Sequence, residues 1–156
     1  MAIEIERKFL VLGTPWANLP RGALMRQGYL HASPERVVRV RIEGALAMLT
    51  VKAAAHGTQG ISRGEWEYPI PLTDAEELLA VCSQPLIEKY RYRIPFDGMV
   101  WEVDVFLGDN AGLVVAEIEL DSEEQAFSKP AWLGAEVSDD KRYLNANLLR
   151  LPFLQW

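Results

Sequence analysis

Cysteine and histidine are scarce in this chain. Its 156 residues include one cysteine, Cys82, and two histidines, His31 and His56. A single cysteine excludes an internal disulfide, and so few nitrogen and sulfur ligands exclude a zinc site of the usual kind. Cys82 falls in an apolar stretch with helical spacing, so we expect it to pack rather than to react. Any bound metal should be a hard cation held by oxygen atoms, such as Mg²⁺, Mn²⁺ or Ca²⁺.

The chain also lacks a long hydrophobic run and an excess of basic residues. No apolar segment approaches the roughly 20 residues of a membrane-spanning helix, so we expect a cytoplasmic protein with no membrane partner. The formal net charge of −6 at pH 7 argues against a general nucleic-acid-binding protein, whose affinity comes chiefly from a basic surface. A polyanionic ligand is still compatible if basic side chains converge locally. The length predicts one domain over residues 1–156 and leaves the oligomeric state open.

The chain does contain short segments in which charged residues recur at every second position. In the first of them, Glu4, Glu6 and Lys8 occupy every second position. Their neighbours include the apolar residues Ile3, Ile5 and Phe9. Successive side chains of a strand point to opposite faces, so these three share one face. Further pairs with this spacing are Arg39 and Arg41, Lys89 and Arg91, Glu102 and Asp104, and Glu117 and Glu119. Acidic and basic pairs lie on different segments, whereas a merely solvated face usually mixes them. This sorting indicates a site.

Eight alternating segments predict eight strands. They span about residues 3–11, 24–32, 36–43, 46–54, 61–71, 87–96, 99–107 and 113–121. Turn-rich stretches such as residues 54–60 separate them, and short connections favour antiparallel pairing. So many strands in a small chain predict a closed or nearly closed barrel, within a mostly β (α+β) fold.

Helix signals lie between and after the strands. Thr73 with Glu76, and Ser122 with Gln125, match the capping-box pattern that begins a helix. The tail at 145–151 predicts a short helix. We expect these few helices to pack outside the barrel.

Alternation does not say which face of the strands is inside. By periodicity alone, an apolar core with charged faces in water is the commoner arrangement. In the opposite arrangement, charged groups line a tunnel and the apolar faces are covered from outside. Unpaired charges in a dry interior cost on the order of several kcal/mol each. Such a tunnel must therefore be hydrated and must gather cations or anions.

The ordered set of motifs resembles the CYTH superfamily, also called triphosphate tunnel metalloenzymes. The likeness begins at the E-x-E-x-K signature formed by Glu4, Glu6 and Lys8 and runs nearly to the end of the chain. Its further motifs lie at residues 26–30, 39–41, 50–52, 62–65, 88–92, 102–104, 117–119 and 139–143. A lone E-x-E-x-K would be weak, but the ordered set favours the tunnel. The resemblance implies an eight-stranded antiparallel barrel whose charged interior binds a triphosphate and a divalent metal.

The resemblance also implies roles for individual residues. The predicted phosphate ligands are Lys8, Arg39, Arg41, Lys52, Arg63, Lys89 and Arg91. The predicted ligands of Mg²⁺ or Mn²⁺ are Glu4, Glu6, Glu117 and Glu119. Glu102 and Asp104 are either further ligands or residues that contact the ligands without touching the metal. Guanidinium groups bind phosphate bidentately and lysines add point charges. Clustered carboxylates repel one another unless a cation lies among them.

Some assignments stay open at this point. Tyr29 and Lys52 are the candidate catalytic residues, although a phenol with a pKa of about 10 is a poor base unless nearby cations lower it. The alternative role of Tyr29 is to hydrogen-bond phosphate or water. Arg63, with Glu65, either links phosphate to a carboxylate or forms a plain salt bridge. Lys141 and Arg142 follow the last predicted strand and are candidates for the tunnel mouth.

The resulting hypothesis is metal-dependent hydrolysis of a phosphoanhydride bond in a small-molecule triphosphate. Inorganic tripolyphosphate is the expected substrate, because nothing in this short chain looks like a base-recognition element. The family that the chain resembles also contains thiamine triphosphatases, RNA 5′-triphosphatases and class IV adenylate cyclases. Hydrolysis of another triphosphate and cyclisation of ATP are therefore alternatives. A non-catalytic polyphosphate-binding module is a further alternative, and the six carboxylates argue against it.

Overall fold

The computed structural model of the chain describes residues 2–54 and 60–156. Most of the predicted turn at 54–60 therefore lies outside the described residues. Within them the chain forms nine strands: β1 (Ile3–Val11), β2 (Ala23–Ala32), β3 (Arg36–Glu43), β4 (Leu46–Ala53), β5 (Ser62–Pro69), β6 (Ile87–Phe96), β7 (Met99–Phe106), β8 (Val114–Glu119) and β9 (Leu133–Glu136). The two α-helices are α1 (Leu72–Val81) and α2 (Asn145–Leu148). Neither of them has the length and apolar character of a membrane span.

Eight of these strands close into an antiparallel barrel. Their order is β5-β4-β3-β2-β6-β7-β8-β1, and pairing between β1 and β5 closes the ring. Residues 3–5 of β1 pair with β5 on one edge, while residues 6–10 pair with β8 on the other. The predicted eight-stranded antiparallel barrel is thus confirmed, with strand bounds within two residues of the predicted ones.

The ninth strand was not predicted. β9 pairs with Phe9 and Val11, on the edge of β1 that β5 leaves uncovered. Its sequence, Leu-Gly-Ala-Glu, is only four residues long and carries no charge alternation. A short strand of this kind is held by an existing edge rather than by its own pattern.

The apolar faces of the strands are covered from outside the barrel. Helix α1 contributes Ala75 and Leu79 to a cluster with Val40 and Ile42 of β3. A second cluster packs the outer faces of β1, β7 and β8, around the fully buried Trp101, against the segment that follows β8. These two clusters lie between the barrel and its cover, which frees most of the barrel interior for polar side chains.

Glycine at position 28 allows the end of α1 to approach the barrel. A Cβ atom there would lie 2.7 Å from the Cβ and 2.9 Å from the Sγ of Cys82, and 2.9 Å from Leu86. Cys82 is buried, and burial raises the pKa of its thiol. The expectation that Cys82 packs is thus confirmed.

The predicted helix starts are wrong in detail. Helix α1 begins at Leu72, its N-cap is Pro71 rather than Thr73, and no side chain caps it. Residues 121–124 form a turn instead of a helix, in which Gln125 Oε1 accepts a hydrogen bond from the Asp121 amide at 2.5 Å. In the tail, the helix at 145–148 is shorter than the predicted range of 145–151.

Candidate active site

The charged faces of the strands point into the barrel and line a cavity of about 770 Å³. The predicted site residues that line it are Glu4, Glu6, Lys8, Tyr29, Arg39, Arg41, Lys52, Arg63, Lys89, Arg91, Glu102, Glu117 and Glu119. All predicted site residues lie in the described part of the chain, and Asp104 alone among them is missing from this lining. Of the two arrangements that periodicity left open, the charged interior is therefore the one observed.

An apolar cluster fills one end of the barrel interior. Tyr29, Phe106 and Val115 from the strands pack there against Tyr143 and Leu148 of the C-terminal segment, residues 141–156. This segment also supplies polar groups to the cavity lining, including Asn145 and Lys141. The interior thus changes from apolar to charged along the barrel, and the C-terminal segment lies at the boundary.

Two cations of β6, Lys89 and Arg91, share the carboxylate of Asp104. Arg91 donates from Nε to Oδ1 at 2.7 Å and from Nη2 to Oδ2 at 2.8 Å, and Lys89 Nζ lies 2.8 Å from Oδ2. Burial favours the neutral acid, but the two cations outweigh it and lower the pKa of the Asp104 carboxyl. Asp104 is therefore ionised and does not line the cavity. Its oxygens contact these two cations instead.

Two cations that face the cavity have lowered pKa values. Burial, together with the charges of Arg91 and Arg41, lowers the pKa of Lys89 to about 7 despite the attraction of Asp104. Burial and the charges of Arg39 and Arg91 lower the pKa of Arg41 to about 10. These side chains lie in a region that repels further positive charge. An anion that enters the cavity relieves this repulsion.

Lys8 is held between the acidic strands and the C-terminal segment. Its Nζ donates to the Tyr143 carbonyl at 3.0 Å and lies 3.4 Å from Glu117 Oε1. Burial acts to lower the pKa of Lys8, but the charges of Glu117 and Glu6 outweigh it, so this pKa is raised. Lys8 is thus a permanent cation beside the carboxylates.

Lys52 and Arg63 both contact Glu4. Lys52 Nζ lies 2.9 Å from Glu4 Oε1 and 3.4 Å from Glu65 Oε2, and Arg63 Nη2 lies 3.6 Å from Glu4 Oε2. Arg63 and Glu65 therefore both face the cavity but pair with different partners. These contacts place a predicted phosphate ligand directly against a predicted metal ligand.

Arg39 has hydrogen-bonding capacity to spare. Its Nη2 lies 3.4 Å from Thr50 Oγ1 and 3.7 Å from Glu67 Oε2. Its Nε is buried and donates to no group of the described residues. A buried donor without a partner is costly, and a phosphate oxygen in the cavity is the kind of acceptor that satisfies it.

The acidic residues form a second group, on β1, β7 and β8. Burial, followed by the charges of Glu4, Glu6 and Glu102, raises the pKa of Glu119. Glu4 Oε2 is buried and accepts no hydrogen bond from the described residues. Glu119 thus lies among like charges, and one oxygen of Glu4 has no hydrogen-bond donor in the part of the chain that the structure describes. Such a donor set fits a hard divalent cation.

The carboxylates do not yet converge on one point. Within residues 2–54 and 60–156, no group of three or more histidine, cysteine, aspartate or glutamate side chains has the arrangement of a metal site. Glu4 and Glu117 are instead paired with Lys52 and Lys8. A cation that binds here must compete with these ammonium groups.

Tyr29 lines the cavity beside the amide of Gln27. Its hydroxyl accepts a hydrogen bond from Gln27 Nε2 at 3.0 Å, and its ring belongs to the apolar cluster at the barrel end. Of the two candidates at the mouth, Lys141 lines the cavity. Arg142 instead pairs with Asp140 at 2.7 Å and lies over the Trp156 ring.

Sequence reasoning missed several residues of the site. Arg93 continues the alternation of Lys89 and Arg91, lines the cavity, and pairs with Glu43 at 2.9 Å and Glu102 at 3.5 Å. The pattern itself could have identified it. Gln27 and Asn145, which hydrogen-bond the site cations, are neutral and were not marked by charge alternation.

Comparisons with known proteins agree with this arrangement. The family model described as the CYTH domain matches residues 2–148. A curated protein of Acetivibrio thermocellus, named inorganic triphosphatase, is 49% identical over 154 residues, which cover 98% of this chain and 97% of that protein. A protein of Nitrosomonas europaea with the same name is 40% identical over 159 residues, covering 96% and 99%.

The fold is also similar to that of solved structures. One, described as an inorganic triphosphatase, has a TM-score of 0.66 and 37% identity and covers 96% of this chain and 95% of its own. A second, described as a putative adenylyl cyclase with a dominant triphosphatase activity, has a TM-score of 0.54 at 16% identity, covers 80% and 81%, and supports the fold alone. The family model spans nearly the whole length over which the barrel and its cavity are built. The chain therefore belongs to the CYTH domain family.

Proposed function

We propose that this protein is a metal-dependent inorganic triphosphatase, which hydrolyses tripolyphosphate to pyrophosphate and phosphate. The observation that carries the proposal is the cavity inside the barrel, where cations of β3, β4 and β6 face carboxylates of β1 and β8. The relatives at 49% and 40% identity, both named inorganic triphosphatase, support it.

The cations bind the phosphate chain. Arg39, Arg41 and Arg91 offer planar guanidinium groups that match phosphate oxygens, and Lys8, Lys52 and Lys89 add point charges. In this structure most of them are paired with carboxylates, so the bound phosphate chain takes over from these partners. Asp104 keeps Arg91 and Lys89 in place while this exchange occurs.

The carboxylates supply the metal ligands. Glu4, Glu6, Glu117 and Glu119 would hold Mg²⁺ or Mn²⁺, with Glu102 beside them. A cation of this kind, when bound, neutralises phosphate charge and activates water for attack. With Glu4 and Glu117 holding a metal ion, Lys52 and Lys8 would be free to contact phosphate oxygens. Metal and substrate binding are therefore expected to favour each other.

The protein's own contribution to catalysis is electrostatic. Asp104 fixes Arg91 and Lys89 before substrate arrives. These cations therefore stabilise the charge that develops as the bond breaks. Lys52, which pairs with Glu4 and Glu65, and Tyr29 both line the cavity. We assign to them the contacts with the reacting phosphate.

A substrate panel tests this function. The purified protein is incubated with Mg²⁺ or Mn²⁺ and tripolyphosphate, ATP or thiamine triphosphate, and the products are identified by phosphorus NMR. We expect pyrophosphate and phosphate in equal amounts from tripolyphosphate, at the highest kcat/KM of the three. Cyclic AMP and pyrophosphate from ATP would instead show a cyclase. Binding of tripolyphosphate without turnover would show a binding module.

A further inference from the structure

A buried amide on β2, Gln27, connects residues of the site. Its side chain is 0% exposed, and it is missing from the cavity lining of the described residues. Its Oε1 accepts a hydrogen bond from Arg41 Nε at 3.0 Å, and its Nε2 donates to Tyr29 OH at 3.0 Å and to Asn145 Oδ1 at 3.1 Å. Gln27 can therefore act on the cavity only through these partners.

Asn145 extends the network from the C-terminal segment to Lys89. Its Oδ1 accepts from Lys89 Nζ at 2.8 Å as well as from Gln27. The orientation of both amides follows from their partners, because Arg41 and the ammonium group of Lys89 only donate and must each face an amide oxygen. One chain of hydrogen bonds thus runs from Arg41 through Gln27 and Asn145 to Lys89.

The same network orients the hydroxyl of Tyr29. Because the phenol oxygen accepts from Gln27 Nε2, its own proton points away from Gln27. Tyr29 also lines the cavity, so this proton is available to a phosphate oxygen. The arrangement therefore allows Tyr29 to donate a hydrogen bond to the substrate.

Arg41 is the residue that depends most on this support. Lys8, Lys52 and Arg91 each pair with a carboxylate, whereas the partner of Arg41 is the neutral amide oxygen of Gln27. The charges of Arg39 and Arg91 repel its guanidinium. Without the amide, we expect the side chain to move away from them and out of the position that receives phosphate.

We propose that Gln27 and Asn145 are positioning residues of the triphosphatase site. They hold Arg41, Tyr29 and Lys89 in the orientation that receives the phosphate chain, and they couple this orientation to the placement of the C-terminal segment. The inference rests on the proposed function, and its test is built to separate the two.

The test is a double-mutant cycle between Gln27 and Arg41. Gln27→Met keeps the length of the side chain and removes its hydrogen bonds. It is made in the wild-type and Arg41→Ala backgrounds, and the Kd for tripolyphosphate, kcat, KM and Tm are measured. In the wild-type background we expect Kd and KM to rise about 10-fold. In the Arg41→Ala background we expect a clearly smaller rise, because Gln27 then has no guanidinium to hold and acts only through Tyr29 and Asn145.

Gln84→Met is the matched control. Gln84 is a glutamine that hydrogen-bonds the carbonyls of Leu79 and Cys82, so its loss should change Tm without changing Kd. An equal effect of Gln27→Met in both backgrounds, or no effect on Kd, would overturn the positioning role.

A second cycle covers the case in which Gln27→Met does not fold. Asn145→Leu is then combined with Lys89→Met, and we expect it to lower kcat/KM about 10-fold only where Lys89 is intact. Additive effects would overturn the proposal. Turnover by the wild-type protein separates the positioning role from the proposed function. If the wild-type protein releases no phosphate but the variants show non-additive effects on tripolyphosphate binding, the proposed function is contradicted and the positioning role is supported.

Discussion

At the scale of single residues, the site consists of charges that already have partners. Lys52 binds Glu4, Lys8 binds Glu117, and Arg91 binds Asp104. Each carboxylate offsets the desolvation of the cation beside it. Arg41, whose partner is an amide, can receive an entering anion without losing an ion pair.

Arg41→Ala should therefore weaken substrate binding more than it slows the chemical step. Hydrogen bonds to charged groups contribute about 1.5–3 kcal/mol, so we expect KM for tripolyphosphate to rise about 10- to 100-fold. Steady-state kinetics measures this change. Arg26→Ala is the control, because Arg26 pairs with Glu76 of α1 and is absent from the cavity lining. Equal KM values for Arg41→Ala and wild type would contradict the binding role.

The lowered pKa of Lys89 predicts a pH effect on binding. With a pKa of about 7, Lys89 loses its proton as the pH rises through neutrality, and a phosphate anion favours the protonated form. Binding at pH 7.5 should thus take up protons, and affinity should fall as the pH rises above 7. Calorimetry in two buffers of different ionisation enthalpy measures the uptake.

Lys89→Gln provides the control for this titration, because it leaves only the protons that tripolyphosphate itself exchanges. Proton uptake should be smaller in Lys89→Gln than in the wild-type protein. Identical uptake by the two proteins would show that Lys89 does not titrate on binding.

At the scale of elements, close packing between β2 and the end of α1 holds the helix on the barrel. Gly28→Ala would place a Cβ atom 2.7 Å from Cys82 and 2.9 Å from Leu86. Overpacking of this kind typically costs about 1–3 kcal/mol, so we expect the free energy of unfolding to fall by that amount. Denaturant unfolding measures it. Leu30→Ala, at an exposed position of β2, should change it by less, and a neutral Gly28→Ala would contradict the packing.

The strands were predictable because their charges alternate. Residues such as Arg39, Arg41 and Glu117 mark both a strand and the face that points inward once the barrel is assumed. β9 escaped prediction because it depends on the open edge of β1. The capping pattern at Thr73 failed because Pro71 already occupies the N-cap position.

The site was predictable only as far as charge marks it. Arg93 follows the same alternation and could have been included. Gln27 and Asn145 are neutral, lie 118 residues apart in sequence and meet only in the fold. The place of Asp104 behind Arg91 likewise depends on how β6 and β7 pair, which alternation within one strand does not encode.

At the scale of the whole molecule, the barrel brings like charges together, and we propose that these charges bind a cation. The pKa of Glu119 is raised by burial and by Glu4, Glu6 and Glu102, so these carboxylates are kept close at a cost to stability. Sites built for function often carry such a cost. The metal ion that they bind is expected to relieve it.

Glu119→Gln should therefore separate activity from stability. Removing one negative charge reduces repulsion in the metal-free protein, so we expect Tm to stay equal or rise. Turnover of tripolyphosphate with Mg²⁺ should fall by at least about 100-fold, a loss of about 2.7 kcal/mol in transition-state stabilisation. Glu123→Gln, beyond the end of β8 and bonded to Ser62, is the control. A Glu119→Gln variant with full activity would refute its metal role.

The central claim is that the charged interior of the barrel binds the phosphate chain and the metal together. Diffraction from crystals grown with tripolyphosphate and Mn²⁺, with the Mn²⁺ located by its anomalous signal, tests it directly. We predict the phosphate chain inside the cavity against Arg39, Arg41 and Arg91, and Mn²⁺ among Glu4, Glu6, Glu117 and Glu119. Phosphate and Mn²⁺ bound only on the outer surface of the barrel would contradict the account.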